Sequence, residues 1–208
     1  MIAIILAGGK GSRLAPWPAP KCLLPVNGLP MIERLISRMF DCKHVSDVVI
    51  CAGYRANDIV AAVEHWEHVR VCDAGEDATM GERLRHVRNF INNDETVLVC
   101  YGDELADVDI GSLIDSHDSL RRIATYTACY YMLPFGVVTA DSKIIGNQDV
   151  LVNIGFAILE PSCWEKLSPK DGLSDWLNKC KPGCYIHKGK RATVNSYADL
   201  QYAEEMFP

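Results

Sequence analysis

Four short apolar runs recur in the first half of the chain, each followed by a turn and an amphipathic stretch. This alternation is what most limits the folds open to it. The runs are Ile2 to Ala7, Asp47 to Ala52, "HVRVCD" from His68 and "TVLVCYGD" from Thr96. After the first, Pro30 opens a segment with Met31, Ile32, Leu35, Ile36, Met39 and Phe40 at helical spacing and Glu33, Arg34, Ser37 and Arg38 opposite. Asn57 to Trp66 reads as a second helix with Asn57 as N-cap. "GERLRHVRNFI" puts Leu84, Val87, Phe90 and Ile91 on one stripe of a third. Strand-helix-strand units of this length predict an α/β fold with a parallel sheet and right-handed crossovers.

In such sheets ligands bind at the carboxyl ends of the strands. That rule selects the loop after the first strand and the Tyr101-Gly102-Asp103 end of the fourth. Further on, "ATYTACYY", "FGVVTAD", "LVNIGFAIL" and "CYIHKG" read as strands that extend the parallel sheet into a mixed one. No linker, repeat or low-complexity run intervenes. The expectation is a single domain over 1-208 with two functional halves, about 1-110 and about 111-208.

With 208 residues, 49% of them hydrophobic, the chain can bury a full core. A formal net charge of -6 argues against the broad basic surface that nucleic acids need, yet a local cluster of cations can still hold a phosphorylated small molecule. No stretch has the length of a membrane-spanning helix, and Ile2 to Ala7 is too short for a signal-peptide core, so a cytoplasmic protein with no membrane partner is expected. Nine cysteines are present, and Cys51, Cys72, Cys100 and Cys129 fall in strand-like runs as reduced core residues. Cys180, Cys184 and His187 lack a fourth ligand at zinc spacing and read as thiols around the Pro182-Gly183 turn. A homo-oligomer is left open.

The loop after the first strand, Gly8-Gly9-Lys10-Gly11-Ser12-Arg13, is neither a Walker A motif nor a dinucleotide fingerprint. The first lacks its closing Lys-Ser or Lys-Thr, and Leu14 takes the place of the second's third glycine. Its glycines leave amide donors free for phosphate oxygens. Lys10 and Arg13 supply cations, and Pro16, Pro18 and Pro20 stiffen the approach to a third, Lys21. A forked Arg and a point-charge Lys suit a polyphosphate that gains charge in its transition state.

"LAGGKGSRLAPWPAPKCLLPV" resembles the signature of the sugar-1-phosphate nucleotidylyltransferases: Gly-Gly-x-Gly-Thr/Ser-Arg-Leu, then Pro-Lys, then Leu-Pro-Val. "MIERLI", "VVICAGYRANDIVAAVE", "YGDELADVDIGSLIDSH" and "LVNIGFAILEP" continue the likeness. "ERLRHVRNFI", "ATYTACYYMLPFGVV" and the terminal "YADLQYAE" are most similar to the glucose-1-phosphate cytidylyltransferase branch.

The resemblance implies a Rossmann-like fold of the nucleotide-diphospho-sugar transferase type, with a mixed, mostly parallel sheet flanked by helices. It also implies a reaction in which an NTP, here CTP, joins a sugar 1-phosphate and pyrophosphate leaves. Arg13 and Lys21 would be catalytic; Leu6, Ala7, Gly8, Gly9, Gly11, Ser12 and Gly81 would bind the nucleotide. Gly136, Asn153 and Gly155 would border the acceptor, and Asp103 would hold Mg²⁺.

Three departures from the family stand out. Asn195 occupies the position of a second metal-binding aspartate, with Asp199 nearby. A Glu-Lys-Pro segment that contacts the sugar phosphate is missing between Val138 and Asn153, with Lys143 the nearest substitute. Glu82 replaces a glycine beside the base. These keep two other readings in view: a catalytically silent nucleotide or nucleotide-sugar binding regulatory protein, and a transferase for a non-sugar phosphate acceptor.

Overall fold

The computed structural model describes residues 1–133, 137–138, 141–146 and 149–208. Seven strands form the central sheet: β1 (Ile2–Leu6), β2 (Asp47–Ala52), β3 (Val69–Asp73), β4 (Val97–Tyr101), β6 (Ala124–Met132), β7 (Asp149–Leu159) and β8 (Gly183–Ile186). Their order is β8-β6-β7-β4-β1-β2-β3. Only β7 runs antiparallel to its neighbours, so the mixed, mostly parallel sheet read from the sequence is present. Two short strands outside it, β5 (Glu104–Ala106) and β9 (Arg191–Thr193), pair antiparallel. That ladder returns the end of the chain to the tip of β4.

Helices cover both faces. α1 (Met31–Phe40), α2 (Ala56–Val63), α4 (Ile110–Leu120) and α6 (Tyr197–Met206) bury residues against one side, where Ile5, Ile50, Phe156 and Ile158 lie. α3 (Met80–Val87) and α5 (Leu173–Lys179) cover the other, against Ile4, Val49, Val99 and Leu159. β1 faces helices on both sides, which is why Ile2 to Ile5 carry no polar residue. Trp176 is fully buried, its ring centroid 4.8 Å from that of Trp164. Among the described residues, no helix is long and apolar enough to cross a membrane.

Two expectations shift. α2 begins at Ala56 and not at Asn57; Arg55, in left-handed backbone, stands at its N-cap and pairs with Asp58 at 2.6 Å. Glu82 has a structural role of its own: Thr79 Oγ1 accepts from its amide while its carboxylate accepts from the Thr79 amide, a capping box that starts α3.

β7 does not pair evenly with β6. Between Asn153 and Ala157 it advances four residues while β6 advances two, from Ala128 to Tyr126. Gly155 sits in this irregularity at φ 75°, its amide donating to Asn153 Oδ1 at 2.8 Å. A Cβ there would lie 2.1 Å from the Tyr101 ring, so glycine is what lets that ring pack over β7.

Candidate active site

The carboxyl ends of β1, β2 and β4 meet at a cavity of about 250 Å³. The Ala7 amide donates to the Cys51 carbonyl and the Gly102 amide to that of Leu6, which locks the three strand ends together. Leu6, Ala7, Gly8, Gly9, Lys21, Tyr101 and Asp103 all line this space, so the two places selected from the sequence form one site. Gly11, at φ 63°, turns the loop into a short 3-10 helix over Ser12–Leu14 that carries Arg13.

Lys21 is the hub. It opens a second 3-10 helix, Lys21–Leu23, right after Pro20. The Trp17 indole donates to the Pro20 carbonyl at 3.3 Å and the Arg55 guanidinium donates to that of Pro18, which brace the proline segment. Lys21 Nζ donates to Asp103 Oδ2 at 2.6 Å and to Asn195 Oδ1 at 2.8 Å. Arg13 Nη2 donates to the same amide oxygen at 2.8 Å. Four residues distant in sequence thus converge on one point, and the neutral Asn195 orients two cations without cancelling either.

Asp199 is engaged elsewhere: its carboxylate accepts from the Asn195 backbone N–H at 2.9 Å and from the Ser196 hydroxyl at 3.0 Å, at the start of α6. Lys10 points away, paired with Glu76 at 2.5 Å with both side chains about half exposed.

Glu104, next to Asp103, is buried, and burial pushes its carboxyl up to about 7 against the opposing pull of the Thr193 hydroxyl and Arg191. Burial likewise pushes the Cys22 and Cys51 thiols beside the small cavity up to about 12, which makes both unreactive packing groups.

Several expected residues stand elsewhere. Gly81 is buried under the Ser168 and Pro169 carbonyls; its neighbours Met80 and Arg83 line the cavity. Gly155 is buried behind Tyr101, while Asn153 lines a second, larger cavity of about 1010 Å³ that it shares with Asn195. Lys143 is exposed and paired with Asp141 at 2.8 Å. Gly136 lies outside the described residues.

Arg83 escaped the sequence reading. Its guanidinium lies across Gly8 and Gly53: a Cβ on either would be within 2.4 Å and 2.7 Å of it. It donates to the Glu76 carbonyl at 2.9 Å, and its buried Nε has no partner among the described residues. Nothing in the sequence sets it apart from the neighbouring charges Glu82 and Arg85.

A model of the MobA-like NTP transferase domain matches residues 3–124. The glucose-1-phosphate cytidylyltransferase of Salmonella typhi is 28% identical over 197 residues, covering 78% of this chain and 76% of its own. A probable glucose-1-phosphate cytidylyltransferase of Bacillus subtilis is 25% identical and covers 100% of this chain and 96% of its own. Among solved structures, a candidate glucose-1-phosphate thymidylyltransferase of Bacillus anthracis, in complex with sucrose, superposes with a TM-score of 0.80 at 22% identity, over 99% of this chain and 94% of that one. The likeness read from the glycine loop therefore extends along the whole fold. With more than half its length matched by the family model, and with the loop and strand ends in place, the chain belongs to the MobA-like NTP transferase domain family.

Proposed function

We propose that this protein is a nucleotidylyltransferase that joins CTP to a sugar 1-phosphate and releases pyrophosphate. The observation that carries this reading is the convergence of Arg13, Lys21, Asp103 and Asn195 beside the glycine loop. A phosphate oxygen of the acceptor attacks the α-phosphorus in line; the new P–O bond forms as the bond to the β-phosphate oxygen breaks, and its electron pair leaves with pyrophosphate. Little covalent chemistry falls to the protein, so positioning and neutralisation of charge dominate.

Lys21, held by the proline segment, transfers its donors from Asp103 and Asn195 to the reacting phosphate. Arg13 balances the charge that collects on the leaving group. Gly8 and Gly9 let the nucleotide approach the loop backbone. Arg83 lines the cavity and is the proposed contact to the base; cytosine, whose adjacent N3 and O2 both accept hydrogen bonds, suits a forked donor.

The Asp103 carboxylate and the Asn195 amide oxygen, brought to one point by Lys21, are the hard oxygen donors that Mg²⁺ prefers, and they fit a partly hydrated divalent cation. When bound, Mg²⁺ supplies neutralising charge to the phosphate oxygens. The proposed division of labour follows the sheet: about 1–110 holds the nucleotide, and about 111–208 holds the acceptor and returns Asn195 to the centre. Its nine free thiols suit the reducing cytoplasm.

The test is pyrophosphate release with Mg²⁺, each of the four NTPs and a panel of sugar 1-phosphates, with Lys21→Ala as control. Release with CTP and one sugar phosphate, lost in the control, is expected. Nucleotide binding without release from any pair would instead identify a silent binding protein.

A further inference from the structure

The larger cavity, about 1010 Å³, runs from Asn195 at the reacting centre to Arg191, Lys188 and Tyr131. Arg191, Thr193 and Asn195 alternate along β9 and its continuation, so Arg191 stands at most about 13 Å from Asn195 along an extended chain. Its guanidinium is fixed on three sides. Nε lies 3.4 Å from Glu104 Oε1, Nη2 donates to Thr193 Oγ1 at 3.2 Å and Nη1 to Cys129 Sγ at 3.5 Å. The Tyr131 ring lies over it, centroid 5.8 Å from Cζ.

Each terminal nitrogen carries two hydrogens and has one such partner among the described residues, so two N–H donors remain for a ligand. The side chain, 24% exposed, lines the cavity. A guanidinium that served only as counter-ion to Glu104 would face both carboxylate oxygens. Here Oε2 takes the Thr193 hydroxyl and Oε1 has no hydrogen bond among the described residues. The anchored guanidinium is held in place at little entropic cost, and exposed Lys188 adds a second cation at the rim. Asp199, the acid on this wall, is occupied by the cap of α6.

From this geometry we infer that the acceptor carries a second anionic group, a phosphate or a carboxylate one sugar ring away from the reacting phosphate, and that Arg191 binds it. The inference rests on the transferase reading above and specifies its substrate class.

Initial rates and KM are to be compared for hexose 1-phosphate, hexuronate 1-phosphate and hexose 1,6-bisphosphate, in the unaltered protein, Arg191→Lys and Lys188→Ala. Thermal melts would check that each variant folds. One of the doubly anionic acceptors should exceed the neutral sugar in kcat/KM by about tenfold or more. Which one does so tells carboxylate from phosphate. Arg191→Lys keeps the charge beside Glu104 but loses the fork, so KM should rise about tenfold for that acceptor, with kcat and the neutral sugar little changed. Lys188→Ala should give a smaller rise of the same kind.

A preference for the neutral sugar, or an equal effect of Arg191→Lys on all three acceptors, would overturn the inference and leave the transferase intact. If no acceptor releases pyrophosphate, the transferase reading fails. Calorimetric binding of hexose 1,6-bisphosphate and of hexuronate 1-phosphate against hexose 1-phosphate then decides the subsite alone, and equal affinities of all three would sink it.

Discussion

Lys21 and Asp103, 82 residues apart in the chain, meet at 2.6 Å, and each is the other's nearest opposite charge in the site. Neither side chain is fully buried, at 13% and 33% exposure, so the pair can be opened by an incoming ligand without the cost of stranding a buried charge. In the proposed reaction a phosphate would take the ammonium and a cation the carboxylate. Ligand-free, the two hold one another in position.

Removal of the ammonium should therefore weaken catalysis far more than folding. Lys21→Ala is expected to lower the rate of pyrophosphate release by about 10²–10³-fold, the loss typical of one transition-state donor. Its unfolding midpoint should stay close to that of the unaltered protein, and initial rates beside a urea titration check both.

Asn195 is the neutral member of the cluster, and its replacement by a carboxylate has a defined direction. Asn195→Asp adds a charged oxygen donor beside Asp103 and should lower the Mg²⁺ concentration for half-maximal rate by about tenfold. A Mg²⁺ titration of the rate reads this. An unchanged midpoint would mean that the amide oxygen serves Arg13 and Lys21 alone.

Gly81 and Gly9 make a contrast in stability. A Cβ on Gly81 would lie 2.2 Å from the Ser168 carbonyl oxygen and 2.7 Å from that of Pro169, backbone that cannot swing aside, whereas one on Gly9 meets nothing within 4 Å. Gly81→Ala should cost about 1–3 kcal/mol, as overpacking does. Gly9→Ala should stay within about 0.5 kcal/mol. Urea midpoints distinguish them.

The loop above Gly81 has its own acid dependence. Lys179, at 2.6 Å and 2.7 Å, and the Ser168 amide at 2.8 Å hold the Asp171 carboxyl below the usual aspartate range. On acidification the unfolded chain takes up this proton first, so stability is full above the ordinary aspartate pKa of about 4 and declines as pH falls through the lowered value. Melting temperatures from pH 6 downward should drop more steeply for the unaltered protein than for Asp171→Asn.

What could be read in advance follows from how local each signal is. Strands β1 to β4 and helices α1 and α3 announce themselves through periodicity, and the carboxyl-end rule then unites the glycine loop with Asp103. Thr79-x-x-Glu82 is itself a local capping signature, but Glu82 reads only as a departure from the family's glycine beside the base. Arg191 and Glu104 were illegible for a different reason: the β5–β9 ladder joins segments more than 80 residues apart, and nothing in either three-residue strand names its partner. Arg83 failed similarly, since a helix surface gives no hint that one of its cations turns inward.

The irregularity in β7 has a bearing on how this strand can vary in length. It adds two residues against β6, an even number, so Ile154, Phe156 and Ile158 all face one core and Ala157 and Leu159 the other. A one-residue insertion or deletion there would rotate Phe156 onto the opposite side of the sheet and exchange the two faces for the rest of the strand. Length changes in pairs leave the two faces as they are, whereas an odd step keeps them only if a β-bulge absorbs the extra residue.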